Sequence, residues 1–210
     1  MRLPLKAVSC FLFSLLVACS PVKVPVVNQY QLTKYSTRHF MKARKKISIL
    51  VALPEAVAGY KTEQMLYMIK PFKLSAFAHN AWVSPPADMI YPLILQSLQH
   101  SNYFYAVASS PYAEQADYRL DTQLLKLHQN FLQRPSVIEL SVKVVLTDIT
   151  NGQVIASRII NQRVCSPMES PYGGVLAANK ATEAMTAAIA EFVIKYTGGS
   201  HFKSGRPTYK

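Results

Sequence analysis

The chain is poor in the side chains that do chemistry. Its 210 residues include three Cys, one Trp and 11 Asp and Glu, and no acidic residue occurs from Ser20 to Leu53. An enzyme needs a positioned nucleophile, base or metal. There is no Gly-x-Ser-x-Gly elbow, no glycine-rich phosphate loop and no His-Glu-x-x-His. His39, His79, His100, His128 and His201 are scattered without His-x-x-x-His or Cys-x-x-Cys spacing, so no metal site is expected. Asp117 and Asp121 share a face of a strand-like segment at about 13 Å, too far for a carboxylate pair, and read as solvated. The expectation is a protein that is not an enzyme.

Long apolar runs are also missing. The longest, Ala7 to Ala18, follows Arg2 and Lys6 and carries no charge. It is too short for a permanent membrane span, which needs about 20 apolar residues, and reads as the core of a secretory signal. It ends in Leu16-Val17-Ala18-Cys19-Ser20. Two readings fit: an ordinary export signal that ends near a cysteine, and a bacterial lipobox. Charge, length and the spacing of small residues favour the lipobox. Cys19 would then be the lipidation site, carrying a diacylglycerol thioether and an N-acyl chain, with no other cofactor. Two or three acyl chains hold a protein stably on a membrane, at roughly 0.8 kcal/mol per buried methylene. Ser20, rather than Asp, after the cysteine favours an outer-membrane location facing the periplasm.

What remains is basic. The net charge of +12 falls to +10 once Arg2 and Lys6 leave with the leader, and suggests an acidic partner. In an exported chain that partner is an anionic lipid surface or an acidic protein face rather than nucleic acid. Lys34, Arg38, Lys42, Arg44, Lys45 and Lys46 crowd one segment. Lys42, Arg44, Lys45 and Lys46 are the candidate anionic-surface contacts; the alternative is a solvated basic linker. After loss of Cys10 and acylation of Cys19, Cys165 stands alone, and reads as a buried or inert thiol or as half of an intermolecular bridge.

The mature chain has length for one domain. The expected division is a signal at 1–18, a lipid-anchored basic linker at 19–45, a folded domain at 46–196 and a basic tail at 197–210. Strand spacing is read at Ile47–Leu53, Met65–Lys70, Phe72–Phe77, Tyr103–Val107 and Asp117–Phe131. A helix is expected at Pro85–Gln99, with Ser84 as N-cap and Pro92 kinking it or delaying its regular part. Leu140, Val142, Val144 and Leu146 alternate with Glu139, Ser141, Lys143 and Thr147; Asn151-Gly152 suits a type I′ turn, and the chain returns through Val154–Val164. Val175–Tyr196 reads as a second helix with an alanine stripe. Trp82 is read as a core plug, the alternative being a lipid contact. The expected fold is α+β: a single domain with a twisted, mainly antiparallel sheet and two helices on one face.

The ordered set of motifs resembles the ABC-type transport auxiliary lipoproteins, the group that includes paraquat-inducible protein C. It comprises the lipobox, Tyr30-Gln31-Leu32, the strand Ile47–Pro54, Met65–Ile69, Asn80–Pro86, Leu98–Val107, Ala116–Leu120 and the hairpin Leu146–Arg158. The resemblance implies an accessory lipoprotein of a system that pairs an ABC permease and ATPase with an Mce-domain protein and moves lipids or other hydrophobic molecules. It carries no catalytic residues, and allows a homo-oligomer around the outer end of the Mce component. Two other roles fit the residues: an assembly or regulatory lipoprotein of another envelope machine, and a lipid-binding carrier.

Overall fold

The computed structural model describes residues 26–41, 43–109 and 116–198. The leader, Cys19, Lys42 and the tail from residue 199 lie outside these residues. Nine strands form one mixed sheet: β1 (Asn28–Tyr30), β2 (Lys45–Val51), β3 (Glu55–Ala56), β4 (Gln64–Lys70), β5 (Lys73–Trp82), β6 (Phe104–Ser109), β7 (Tyr118–Asn130), β8 (Val137–Asp148) and β9 (Gln153–Cys165). Two helices, α1 (Pro86–His100) and α2 (Pro171–Gly198), complete the single α+β domain.

Strand β7 is the spine. Along one edge it pairs antiparallel with β8 over nearly its whole length, and β8 pairs with β9 in the same way. Its other edge is shared in succession by β2, β3 and β4, all parallel to it. The chain from Lys45 to Lys70 thus leaves and rejoins one strand edge, which the 13 residues of β7 are long enough to allow. Beyond β2 lies β6, and beyond β4 lie β5 and then β1. Most paired residues belong to the three antiparallel ladders, as expected; the five parallel pairings are a feature the sequence pattern did not suggest.

The alternation in β8 sets the faces. Leu140, Val142, Val144 and Leu146 are all buried, and β8 and β9 carry the main contacts with α2, while α1 packs on β6, β7 and α2. Buried Ala177, Ala178, Ala181 and Ala190 let α2 approach closely, and Ser97 Oγ donates to the Thr186 carbonyl at 3.3 Å between the helices. Trp82 is buried in this core, as expected. Truncating one such core side chain typically costs about 2–5 kcal/mol.

Several local expectations are corrected. Pro85, not Ser84, holds the N-cap position of α1, without a side-chain cap; Pro86 opens the helix, where a missing amide hydrogen costs nothing. The helix runs through Pro92, whose ring lies on its exposed side. α2 starts at Pro171, one turn earlier than expected, because Ser170 Oγ accepts the Gly173 amide at 3.1 Å, an N-cap that the Pro/Gly composition concealed. The β8–β9 turn is not type I′, since only Gly152 has positive φ (69°); Asn151 Oδ1 instead accepts the Gln153 amide at 2.9 Å. Cys165 is exposed rather than buried, because inward-facing Val164 precedes it and turns it outward.

The largest correction concerns the segment read as a linker. Residues 28–41 belong to the folded body. Asn28–Tyr30 pair with Asn80–Trp82, and Leu32 and Ser36 are buried. The Thr33 and Lys34 amides donate to Asn179 Oδ1 at 2.8 and 3.2 Å, and Asn179 Nδ2 donates to the Gln31 carbonyl at 3.2 Å. The Ser36 amide donates to Thr186 Oγ1 at 2.9 Å and the Phe40 amide to the Ser101 carbonyl at 2.9 Å. Arg38 pairs with Glu191. The strap is polar at its surface yet ordered by α2, which is why composition alone reads as a spacer.

Candidate functional site

Both helices cover one face of the sheet, and the other is largely bare across β7, β8 and β9. Residues opposite one another there, Asp121 with Val145 and Gln123 with Lys143, turn away from the core. A groove of about 420 Å³ opens between these strands and the segment Ala52–Glu55, lined by Leu53, Glu55, Arg119, Asp121, Gln123 and Lys143 among others. Arg119 Nε and Nη2 both donate to Asp121 Oδ1, at 2.9 and 2.8 Å. Both side chains are about half exposed, so the pair contributes at most about 1 kcal/mol to stability; its effect is to fix the charge pattern. Leu53 is exposed beside it. Mixed charge around an apolar residue in an open groove suits a partly polar protein contact.

Further along the same face lies a denser polar cluster. The β7 ladder skips Leu125, so Leu124 faces Val142 and Lys126 faces Ser141. This bulge reverses the parity of the strand: Leu120, Thr122 and Leu124 point to the core before it, and Leu127 and Gln129 after it. Lys126, His128 and Asn130 therefore come to the Glu139 side. The Glu139 carboxylate accepts from Lys126 Nζ at 3.2 Å and Asn130 Nδ2 at 3.1 Å, with Arg163 Nη2 at 3.5 Å and His128 Nε2 at 3.7 Å. The short 3-10 turn Ala58–Tyr60 covers the cluster, with the Tyr60 hydroxyl 2.9 Å from His128 Nδ1.

The electrostatics follow from this crowding. Burial pushes the His128 pKa below its ordinary 6.5; the opposing pull of Glu139 is smaller, and Lys126 adds to the depression. A neutral ring with Nδ1 accepting from Tyr60 places the Nε2 proton toward Glu139. Burial alone would raise Glu139, but the hydrogen bonds from Asn130 and Lys126, with the charge of Lys126 and that of His128 once acid protonates it, hold it below 4.5. Burial first and Glu139 second raise the Tyr60 hydroxyl above 10.0. These shifts belong to a structural network: a single carboxylate shared among cations, with His128 Nε2 buried 3.7 Å from it and outside hydrogen-bond distance. Among the described residues no group of three or more His, Cys, Asp or Glu is placed to hold a metal ion, and no helix is long and apolar enough to cross a membrane.

The domain architecture now decides what the chain is related to. Residues 30–190 match the family described as the ABC-type transport auxiliary lipoprotein component. The chain belongs to that family. No curated protein matches it. Among solved structures, protein XCC0632 from Xanthomonas campestris, which carries the family model DUF330, superposes with a TM-score of 0.72 at 18% identity, covering 81% of this chain and 97% of its own. A second, uncharacterized protein superposes with a TM-score of 0.64 at 15% identity, covering 80% of this chain and 99% of its own. Both likenesses establish the fold.

Within this auxiliary lipoprotein the described candidate residues, Arg44, Lys45 and Lys46, lie together at the start of β2. Cys19 and Lys42 lie outside the described residues. Arg44 Nε donates to Asn102 Oδ1 at 3.2 Å, the Lys45 amide donates to the Tyr103 carbonyl at 2.8 Å, and the Lys45 ammonium sits 5.1 Å from the centre of the Tyr103 ring. Lys46 is exposed. Asp117 is not merely solvated: its Oδ2 accepts the amide and hydroxyl of Ser48, each at 2.7 Å, fastening β2 to β7. Sequence reasoning missed the Glu139 cluster, because the bulge at Leu125 that assembles it is a property of the β7–β8 pairing.

Proposed function

We propose that this protein is a non-catalytic, lipid-anchored subunit of an Mce-type ABC transport system that moves lipids or other hydrophobic molecules. It sits on the outer membrane, held by an acylated Cys19, faces the periplasm and acts by docking to the Mce-domain component. The observation that carries the reading is membership of the transport auxiliary family in a domain whose bare sheet face bears a mixed-charge groove and, among the described residues, no metal-holding cluster.

The docking surface is the groove around Arg119, Asp121 and Lys143, together with the basic edge of Arg44, Lys45 and Lys46. The lipid anchor raises the effective concentration of this surface near a membrane-spanning partner. Cations at a rim set the rate and salt dependence of association more than its depth. The basic edge therefore meets an acidic protein face.

In-cell crosslinking with mass spectrometry tests this. Adducts with an Mce-domain or permease protein are expected, and should fall when Arg119 and Lys143 are both replaced by Glu. Recovery of monomer alone, with normal envelope lipid traffic in a deletion strain, would overturn the proposal.

A further inference from the structure

The tip of the β4–β5 hairpin is built unlike the rest of the surface. Lys70 pairs with Lys73, leaving Pro71-Phe72 as the turn. Phe72 is fully exposed, at 102%, and its φ is 64°. A bulky side chain in the left-handed region is strained, and this place in a turn is normally taken by Gly or Asn. An aromatic ring kept there in full contact with water, contributing nothing to the core, indicates a contact made elsewhere.

The ring is not alone. Ile69 and Leu74, flanking the turn, are 61% and 38% exposed. β4 and β7 run parallel, with Met68 beside Asn130, and the Phe131 amide donates to the Met68 carbonyl at 2.8 Å. The β7–β8 loop therefore ends on the same side and brings Leu132, 46% exposed, and Arg134 to it. Lys70 and Lys73 flank Pro71-Phe72, and Arg134 follows Leu132 in the β7–β8 loop. One acidic residue, Glu169, lies in the neighbouring loop, where its carboxylate accepts the Ser136 amide at 2.7 Å. Aromatic and aliphatic tips flanked by long cations match the chemistry of an anionic bilayer interface, the ring entering the headgroup region and the ammonium groups staying at the phosphates.

Chain direction selects this occupant. β1 is parallel to β5, with Asn28 beside Asn80, so the chain before Asn28 arrives from the hairpin-tip side. Exposed Val26 and Val27 already lie in that direction. Gln64 pairs with Ala81, and Lys70 with Lys73; the tip is thus six residues of β4, roughly 20 Å, beyond the level of Asn28. The nine steps from Asn28 back to Cys19 can span up to about 30 Å. The anchor position and the tip are within reach of one bilayer surface. The basic edge at Lys45 is not, since it precedes the start of β7 and lies at the opposite end of the sheet.

We propose that Phe72, flanked by Lys70 and Lys73, inserts into the anionic surface of the bilayer that holds the lipid anchor, so that the domain stands with its basic edge directed away from that membrane. This rests on the anchor reading made above. The test uses full-length acylated protein reconstituted in phosphatidylethanolamine–phosphatidylglycerol vesicles with brominated acyl chains. Phe72→Trp reports from the tip, Val154→Trp from the exposed far end of the β8–β9 hairpin, and buried Trp82 gives the common background. Bromine should quench the tip Trp about twofold or more beyond the control. Equal quenching, or none, overturns the proposal, as does a photocrosslinker at position 72 that gives only a protein adduct. Mass spectrometry of the mature chain tests the anchor separately: unacylated protein whose tip Trp is still quenched keeps the insertion and discards the anchor, and acylated protein without quenching does the reverse. Phe72→Gly, which relieves the positive φ, should keep the thermal midpoint while weakening the binding of the unacylated mature chain to the same vesicles, where no acyl chain masks the loss; equal binding of the two unacylated chains overturns the proposal.

Discussion

Gly174 lies directly against the side chain of Gln129: a Cβ on that glycine would sit 2.3 Å from Gln129 Oε1. Gln129 is buried, and its two Nε2 hydrogens are shared among Ser136 Oγ at 3.0 Å, Ser166 Oγ at 3.2 Å and the Ser170 carbonyl at 3.3 Å. This one amide fastens the β7–β8 loop and the entry of α2 to the sheet, and the glycine leaves room for it. Gly174→Ala should therefore destabilise the fold by about 1–3 kcal/mol, the usual cost of overpacking. Gly59→Ala, where nothing lies within 4 Å, should be nearly neutral. Urea unfolding of the two variants checks this, and equal midpoints would contradict it.

Asn179 holds the strap 31–41 on α2 through three main-chain partners, the Thr33 and Lys34 amides and the Gln31 carbonyl. Asn179→Ala should cost about 1–3 kcal/mol if those groups are left without partners. Local opening should exceed the global loss, so limited proteolysis between residues 31 and 41 should speed up more than cleavage elsewhere.

Acid should lower the stability of the fold over two pH ranges. The folded-state pKa of His128 is held below 6.5 by burial. The unfolded chain therefore takes up that proton first, and stability falls as pH drops through about 6.5. Glu139 is held below 4.5; its contribution is full above that value and is lost as pH falls through the folded pKa. Unfolding midpoints at pH 8, 6 and 4 should decline in that order. His128→Gln should flatten the upper step and leave the lower one.

Glu139→Gln should destabilise the protein at pH 7 by about 1 kcal/mol, because Lys126 and Arg163 lose the shared carboxylate but are solvated enough to screen each other. The penalty should shrink as pH falls through the depressed folded pKa of Glu139, where the wild-type carboxylate takes up its own proton. A pH-independent difference would show that shape rather than charge is at stake.

Cys19→Ala should abolish incorporation of an alkyne fatty acid and block processing of the leader. Equal label on the wild type and the variant would remove the lipoprotein reading for this chain.

Much of this molecule is written in local pattern. The period-two run Leu140, Val142, Val144 and Leu146 assigned the buried face of β8 because each strand residue alternates faces whatever its partner. The alanine and aliphatic periodicity marked both helices, and the ordered motifs marked the family. Local pattern is silent on partners distant in sequence. That β2, β3 and β4 share one edge of β7, that Asn28–Tyr30 join β5, and that a basic strap is ordered by Asn179 were decided by the tertiary structure. The bulge at Leu125 is the clearest instance: one unpaired residue reverses the facing of His128, so the polar cluster on Glu139 exists only once β7 and β8 are aligned. Phe72 follows the same rule, for its residue type is visible in the sequence, and only the folded hairpin leaves its ring in water.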